Sequence, residues 1–196
     1  MTRMRLRNDR QGYGLVSVGL HWIMAVLVIG LFLLGETMVD LDYTHPWYHK
    51  APDLHRGLGV VTAGLLAFRL VWRLANPLPE ILGRPWERRA ALWVHRLFYL
   101  LIAAVVTSGY LITTADGQAL SVFGAFEIPA TLHGLENQED IAGRVHEWLA
   151  TLLIALAALH GLAALKHHLL DRDPTLLRML GAGGPHSSSP TRRNTP

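Results

Sequence analysis

Four long stretches of the chain are apolar almost without interruption, and the polar positions gather between them. Leu15 to Gly35 holds no charged residue; a second run, from about Leu54 to Leu74, is uncharged between Gly57 and Phe68; Leu97 to Ala115 is the third and Trp148 to Leu165 the fourth. A helix of roughly 20 apolar residues crosses the hydrocarbon core of a bilayer, so each run is long enough once its flanks are included. Spans are expected at about 15–37, 54–74, 92–115 and 144–168. Lipid offers the backbone no hydrogen-bond partners, so these spans must be helical. Arg69 interrupts the second run near its end, where a long side chain is expected to snorkel to the interface. The pattern predicts an all-α integral membrane four-helix bundle over residues 15–180.

The segments between the runs carry the charge, and they carry it unevenly. Arg3, Arg5, Arg7 and Arg10 precede the first run within a basic stretch, 1–14. Arg69, Arg73, Arg84, Arg88, Arg89 and Arg96 surround the connection between the second and third. Lys166, Arg172, Arg178, Arg192 and Arg193 follow the fourth. The other side has Lys50, Arg56 and Arg144, so fifteen of the eighteen basic residues lie on one side. The positive-inside rule then puts both termini in the cytoplasm and segments 36–54 and 116–145 outside. Those outer segments are too long for simple turns and are expected to form ordered loops or interfacial helices. Residues 181–196 read as a disordered tail. A cleavable signal peptide is not expected, because the first run is long and lacks a clean small-residue cleavage site.

Composition narrows the chemistry. The chain has 196 residues, is 51% hydrophobic and 17% charged, and contains no cysteine. Absence of cysteine removes disulfides, iron–sulfur clusters, covalently attached haem and thiol catalysis together. No internal repeat, nucleotide-binding glycine motif or nucleic-acid signature is apparent. The glycines of the spans (among them Gly19, Gly30, Gly57, Gly59, Gly64, Gly109 and Gly161) follow no phosphate-loop pattern and are expected to allow close helix approach or to leave room for a flat cofactor. Eleven histidines remain as the distinctive feature.

Imidazoles are costly in lipid unless they have a partner or a task. With both termini inside, His21 sits toward the inner face and His55, which opens the second span, toward the outer face. His146 opens the fourth span from outside, and His160 follows fourteen residues later. That is about 21 Å deeper and about four helical turns on, so both rings point in nearly the same direction. His21 is at the depth of His160, and His55 at the depth of His146. A zinc or copper site would gather its ligands around one ion, and a proton relay would place Asp or Glu well inside the spans. Two stacked pairs of imidazoles instead suit the axial positions of two b-type haems between the helices. His95, at the inner end of the third span, is the competitor for the inner pair; hydrogen bonding to a haem propionate or a neighbouring helix is its simpler use. His45, His49 and His133 fall in the outer segments and read as solvated loop residues. His168 turns away around the helix and has no assigned task. A haem-free helical protein whose histidines merely hydrogen-bond is the bland alternative.

Over about residues 11 to 180 the chain resembles the bacterial cytochrome b561 family, the four-span di-haem cytochromes of the inner membrane that include superoxide oxidase-like members. The residues that carry the resemblance are Leu20-His21-Trp22, His55 before a glycine-containing apolar run, His146-Glu147, His160, His167-His168 and the ending Asp173-Pro174-Thr175-Leu176-Leu177-Arg178-Met179. The resemblance implies the same ligand pairs, His21 with His160 and His55 with His146. It also implies transfer of electrons from superoxide outside to ubiquinone near the inner haem, with localisation in the bacterial inner membrane. His167, two turns beyond His160, and Arg84 are candidates for the quinone site. Arg56 and Arg144, beside the outer ligands, are candidates for haem propionate contacts or a cationic entrance. Against superoxide as donor, the outer segments hold ten acids and three bases. The alternative is a cytochrome b subunit passing electrons between the quinone pool and a dehydrogenase-type or hydrogenase-type complex, or a periplasmic protein. Association as a homo-oligomer or with a redox partner subunit stays open.

Overall fold

The computed structural model describes residues 5–10 and 12–181; the expected tail beyond residue 181 lies outside them. Four long helices form the molecule: α1 (Leu15–Val39), α2 (Lys50–Leu74), α3 (Pro85–Thr113) and α4 (Gln138–Leu169). A short helix, α5 (Thr175–Met179), closes the chain, and a small hairpin, β1 (Leu120–Val122) and β2 (Phe126–Ile128), lies between α3 and α4. All four long helices have the length and apolarity to cross a membrane. Helix α3 packs most extensively on α4 and α1 on α2, while α2–α3 and α1–α4 contacts close the bundle.

The ends of the helices follow from local chemistry. Asn8 pins the end of the bundle that carries the termini: its Oδ1 accepts from the Gly14 N–H (2.9 Å) and the Ser17 hydroxyl (2.7 Å), and its Nδ2 donates to the Pro77 carbonyl (3.1 Å). This ties the segment before α1 to the loop after α2. Pro85 occupies the first turn of α3, where its missing N–H costs nothing. Glu87 then reaches back to accept from the Arg84 N–H at 2.7 Å, a capping-box contact. Polar first turns of this kind are why α3 and α4 begin ahead of their apolar spans. At the same end of the bundle, the Trp22 indole N–H donates to the Met179 carbonyl at 2.7 Å. The two motifs at the extremes of the chain therefore meet.

The second outer segment folds as a hairpin rather than as a plain loop or interfacial helix. Phe123 and Gly124 both have positive φ, the Ala125 N–H donates to the Val122 carbonyl at 2.9 Å, and Leu120 and Val122 turn inward. Phe123 rests on Gly57 of α2, where an added Cβ would overlap the ring. The return to α4 is held by the Tyr110 hydroxyl, which donates to the Pro129 carbonyl at 2.8 Å and accepts from the Thr131 N–H at 2.8 Å. The Gln138 side chain donates to the Leu111 and Leu132 carbonyls, both at 3.0 Å.

The close-packed core is a layer across the middle of the bundle. Met24, Leu101, Ile102 and Leu153 are buried there, with Val28, Leu65, Leu66, Leu149 and Leu156 packed around them. On α4 this layer lies between His146 and His160. Close helix approach, one of the two expected uses, does not account for five of the glycines. At Gly19, Gly30, Gly59, Gly64 and Gly161 an added Cβ would meet nothing within 4 Å, so no neighbouring helix presses on them.

Candidate functional site

At the level nearer the hairpin, the outer one in the topology expected from the charge bias, the rings of His55 on α2 and His146 on α4 have centroids 6.1 Å apart with planes at 68°. His146 Nδ1 lies 2.9 Å from the Val105 carbonyl and 3.2 Å from the Ser108 hydroxyl, which itself donates to that carbonyl at 2.9 Å. A carbonyl can only accept, so the proton is on Nδ1 and the lone pair is on Nε2. The Nδ1 of His55 is buried and has no hydrogen-bond partner among the described residues. Glycines make room for both rings. An added Cβ would lie 3.1 Å from His146 Cε1 at Gly109 and 3.4 Å from His55 Cε1 at Gly35.

At the level nearer the termini, the inner one in that expected topology, His21 on α1 and His160 on α4 have centroids 6.2 Å apart. The structure adds His95 of α3 at 5.6 Å from His160, and Phe98 edge-on at 5.4 Å. Arg69 does not snorkel outward. One guanidinium nitrogen is 3.3 Å from His21 Nδ1, another is 3.7 Å from the Met24 sulfur, and the group stands over the Tyr99 ring at 5.8 Å.

These spacings suit iron. An imidazole nitrogen sits about 2 Å from a metal it ligates, and its ring centroid about 1 Å further back, so two rings on opposite sides of one ion have centroids about 6 Å apart. Each pair meets that requirement, neither pair has a carboxylate partner among the described residues, and Gly35 and Gly109 keep side chains away from the outer rings. The donor set therefore fits bis-imidazole haem ligation.

A third cluster lies at the inner ends of α3 and α4. His167 Nδ1 is 2.8 Å from Asp173 Oδ2 and 3.0 Å from Asp171 Oδ2. Asp173 also accepts from the Thr175 N–H at 2.8 Å. Burial resists ionisation of Asp173, but the bonds from Thr175 and His167 outweigh it and hold the carboxyl below the usual range. Ligand atoms of Glu87, His167 and Asp171 lie within 4.8 Å of one another. However, Lys166 Nζ stands 2.7 Å from both Glu87 Oε1 and Asp171 Oδ2, so an ammonium already fills the space between the carboxylates. A cleft of about 570 Å³ opens beside this network and is lined by Arg84, Glu87, Asp171 and Asp173 among others.

The remaining candidates are dispersed. Arg56 is paired with Asp53 on the same helix face, and Arg144 is exposed with no ion pair among the described residues. His45 accepts from the Trp47 N–H at 3.2 Å, His49 stacks edge-on against Tyr48, and His133 lies against Gly117. None of the three joins a histidine level. Sequence reasoning missed Ser108, the carboxylates around His167 and the inward turn of Arg69. Asp171 and Asp173 stand four and six residues past His167, which is the one signal that could have found them.

The family model for prokaryotic cytochrome b561 matches residues 12–182. The chain belongs to this family. It is 47% identical over 180 residues to cytochrome b561 homolog 2 of Escherichia coli K12, covering 91% of this chain and 96% of the relative. It is 29% identical over 171 residues to "Probable superoxide oxidase CybB" of Yersinia pestis, covering 86% and 95% of the two chains. Identity to cytochrome b562 of Cereibacter sphaeroides is 28% over 174 residues, covering 86% and 95%. This cytochrome is thus a prokaryotic membrane electron-transfer protein, and the family implies haem b as its cofactor.

Proposed function

We propose that this cytochrome moves electrons across the inner membrane from a donor on the outer side to ubiquinone near the inner side. It binds two haem b groups, with His21 and His160 as inner ligands and His55 and His146 as outer ligands. The observation that carries the reading is the pair of imidazole spacings, 6.2 and 6.1 Å, on two levels of one bundle. When bound, the haems supply reversible one-electron redox chemistry at two depths. The protein's own residues fix those depths, and the apolar layer around Leu101 and Leu153 keeps water out between them. The basic-residue asymmetry supports cytoplasmic termini.

At the inner side, reduction of ubiquinone consumes two electrons and two protons. His167 is suited to deliver the protons. Its Nδ1–H is held by Asp173 with Asp171 beside it, so Nε2 takes up a proton from water, passes it to a quinone oxygen and is reloaded for the second. Arg84, lining the adjacent cleft, adds positive charge.

Superoxide is the first donor to consider: two molecules would give two of dioxygen and the two electrons needed. Its support is the name of the Yersinia relative and the position of Arg56 and Arg144 beside the outer ligands. The second reading, a cytochrome b subunit for a partner complex or periplasmic protein, is favoured by the outer charge. Glu36, Asp40, Asp42, Asp53, Asp116, Glu127, Glu136, Glu139, Asp140 and Glu147 repel an anion, and Arg56 is engaged by Asp53. Mixing the purified protein with a superoxide source and ubiquinone separates the two. Haem reduction followed by quinol formation supports superoxide. No reduction by superoxide, with reduction by a co-purifying protein, supports the subunit reading. No quinol under any donor that reduces the haems overturns the quinone assignment.

A further inference from the structure

The guanidinium of Arg69 has surroundings that the proposed function does not use. It belongs to a membrane-spanning helix, where a cation requires a counter-charge. Among the described residues no carboxylate pairs with it. Its partners are the His21 ring, the Met24 thioether and the face of Tyr99. None of these is an anion, and five N–H donors are available. The neighbourhood deepens the deficit. Arg73 stacks on the same Tyr99 ring at 5.7 Å, so two guanidinium groups share one aromatic face, and among the described residues neither has an ion pair.

Depth identifies what can supply the missing charge. One guanidinium nitrogen touches Met24, which is 2% exposed and part of the central core. A lipid headgroup stays at the interface, whereas a ligand seated between α1, α2 and α4 reaches this depth. The contact with His21 points the same way. Guanidinium only donates, so His21 Nδ1 must accept and its proton must sit on Nε2. A His21 that ligates through Nε2 carries its proton on Nδ1, where Arg69 has nothing left to bond.

We propose that Arg69 binds a carboxylate of the inner haem, with Arg73 as its neighbour, and so orients that haem and raises its potential. The inference rests on the assignment of an inner haem to His21 and His160. It makes Arg69 a positioning residue and leaves the ligand set unchanged.

The test uses the full-length holoprotein in nanodiscs, with spectroelectrochemistry and resonance Raman of the haem carboxylate bending band. The inner haem is the one that disappears in His160→Ala. Arg69→Gln is expected to lower the midpoint potential of that haem, shift its carboxylate band and leave the other haem unmoved, because a cation near the iron favours the reduced state. Arg69→Lys, which keeps the charge but loses the bidentate fork, is expected to hold the potential near wild type while still shifting the band. Should Arg69→Gln lose the inner haem, the lysine variant decides alone: an unshifted band overturns the proposal. Unchanged potential and band in Arg69→Gln also overturn it. So does a wild-type potential that follows exchange of anionic for zwitterionic lipid, which would make a lipid headgroup the partner. If His160→Ala keeps both haems, the ligand assignment has failed, and the response of the carboxylate band to Arg69→Gln still reports on Arg69 by itself.

Discussion

The outer and inner histidine levels have nearly the same ring spacing and quite different surroundings. At the outer level two imidazoles stand among backbone and glycine. His146 is held by the Val105 carbonyl and Ser108, and Gly35 and Gly109 open space for the rings. Among the described residues no further imidazole stands against this pair. The inner level is crowded: a third imidazole, His95, is nearer to His160 than His21 is, and Arg69 reaches in from α2. At the outer level the backbone fixes the tautomer of His146 and the surroundings allow one pairing. A site built from spare polar side chains must be completed by what it binds. The comparison also assigns the two levels different sensitivities, steric at the outer and electrostatic at the inner.

The sharpest way to break the comparison is to remove one ligand at each level. His160→Ala should lose one haem and His146→Ala the other, each sparing its counterpart; loss of both from either variant would mean that the levels are not independent. His95→Ala should keep both haems, and loss of the inner one would transfer the ligand role from His21. A smaller effect is expected at the quinone side. Asp173→Asn removes the charge that holds His167 Nδ1–H, and quinol formation should fall about tenfold with haem content intact; an unchanged rate would remove His167 and Asp173 from proton delivery. Smaller still are single hydrogen bonds. Trp22→Phe deletes the bond to the Met179 carbonyl and should release α5 at a cost of about 1 kcal/mol or less, seen as faster proteolysis of the C-terminal segment.

The acid response gives the mildest distinction. Asp173 is lowered from its ordinary value of 3.8 by Thr175 and His167 acting against burial. A carboxyl depressed in the folded state stabilises that state above its ordinary value and loses the contribution as pH falls through the lowered one. The junction of α4 and α5 should therefore hold above pH 3.8 and loosen only below it. Trp22 fluorescence would follow this, and Asp173→Asn should abolish the dependence.

The spans and the four matched histidines were legible because they rest on periodicity, length and charge, which need no tertiary information. His146 and His160 share a helix face by arithmetic alone. The inward turn of Arg69 was not legible, since a basic residue near a span end obeys the same local rule whether it points to the interface or into the bundle. The hairpin escaped because strands of three residues are too short to show alternation, and its turn depends on Phe123 finding Gly57 across 66 positions. The network of Glu87, Lys166 and Asp171 joins residues from two helices, so spacing could not reveal it. The early start of α3 was readable in retrospect from Arg84-Pro85 followed by Glu87.

The central claim is that one bundle holds two haems on two levels. The direct measurement is haem quantified per polypeptide in the purified protein, together with a reduced-minus-oxidised visible spectrum. The account predicts two b-type haems per chain; one would show that a ligand pair is misassigned, and none would contradict the account altogether.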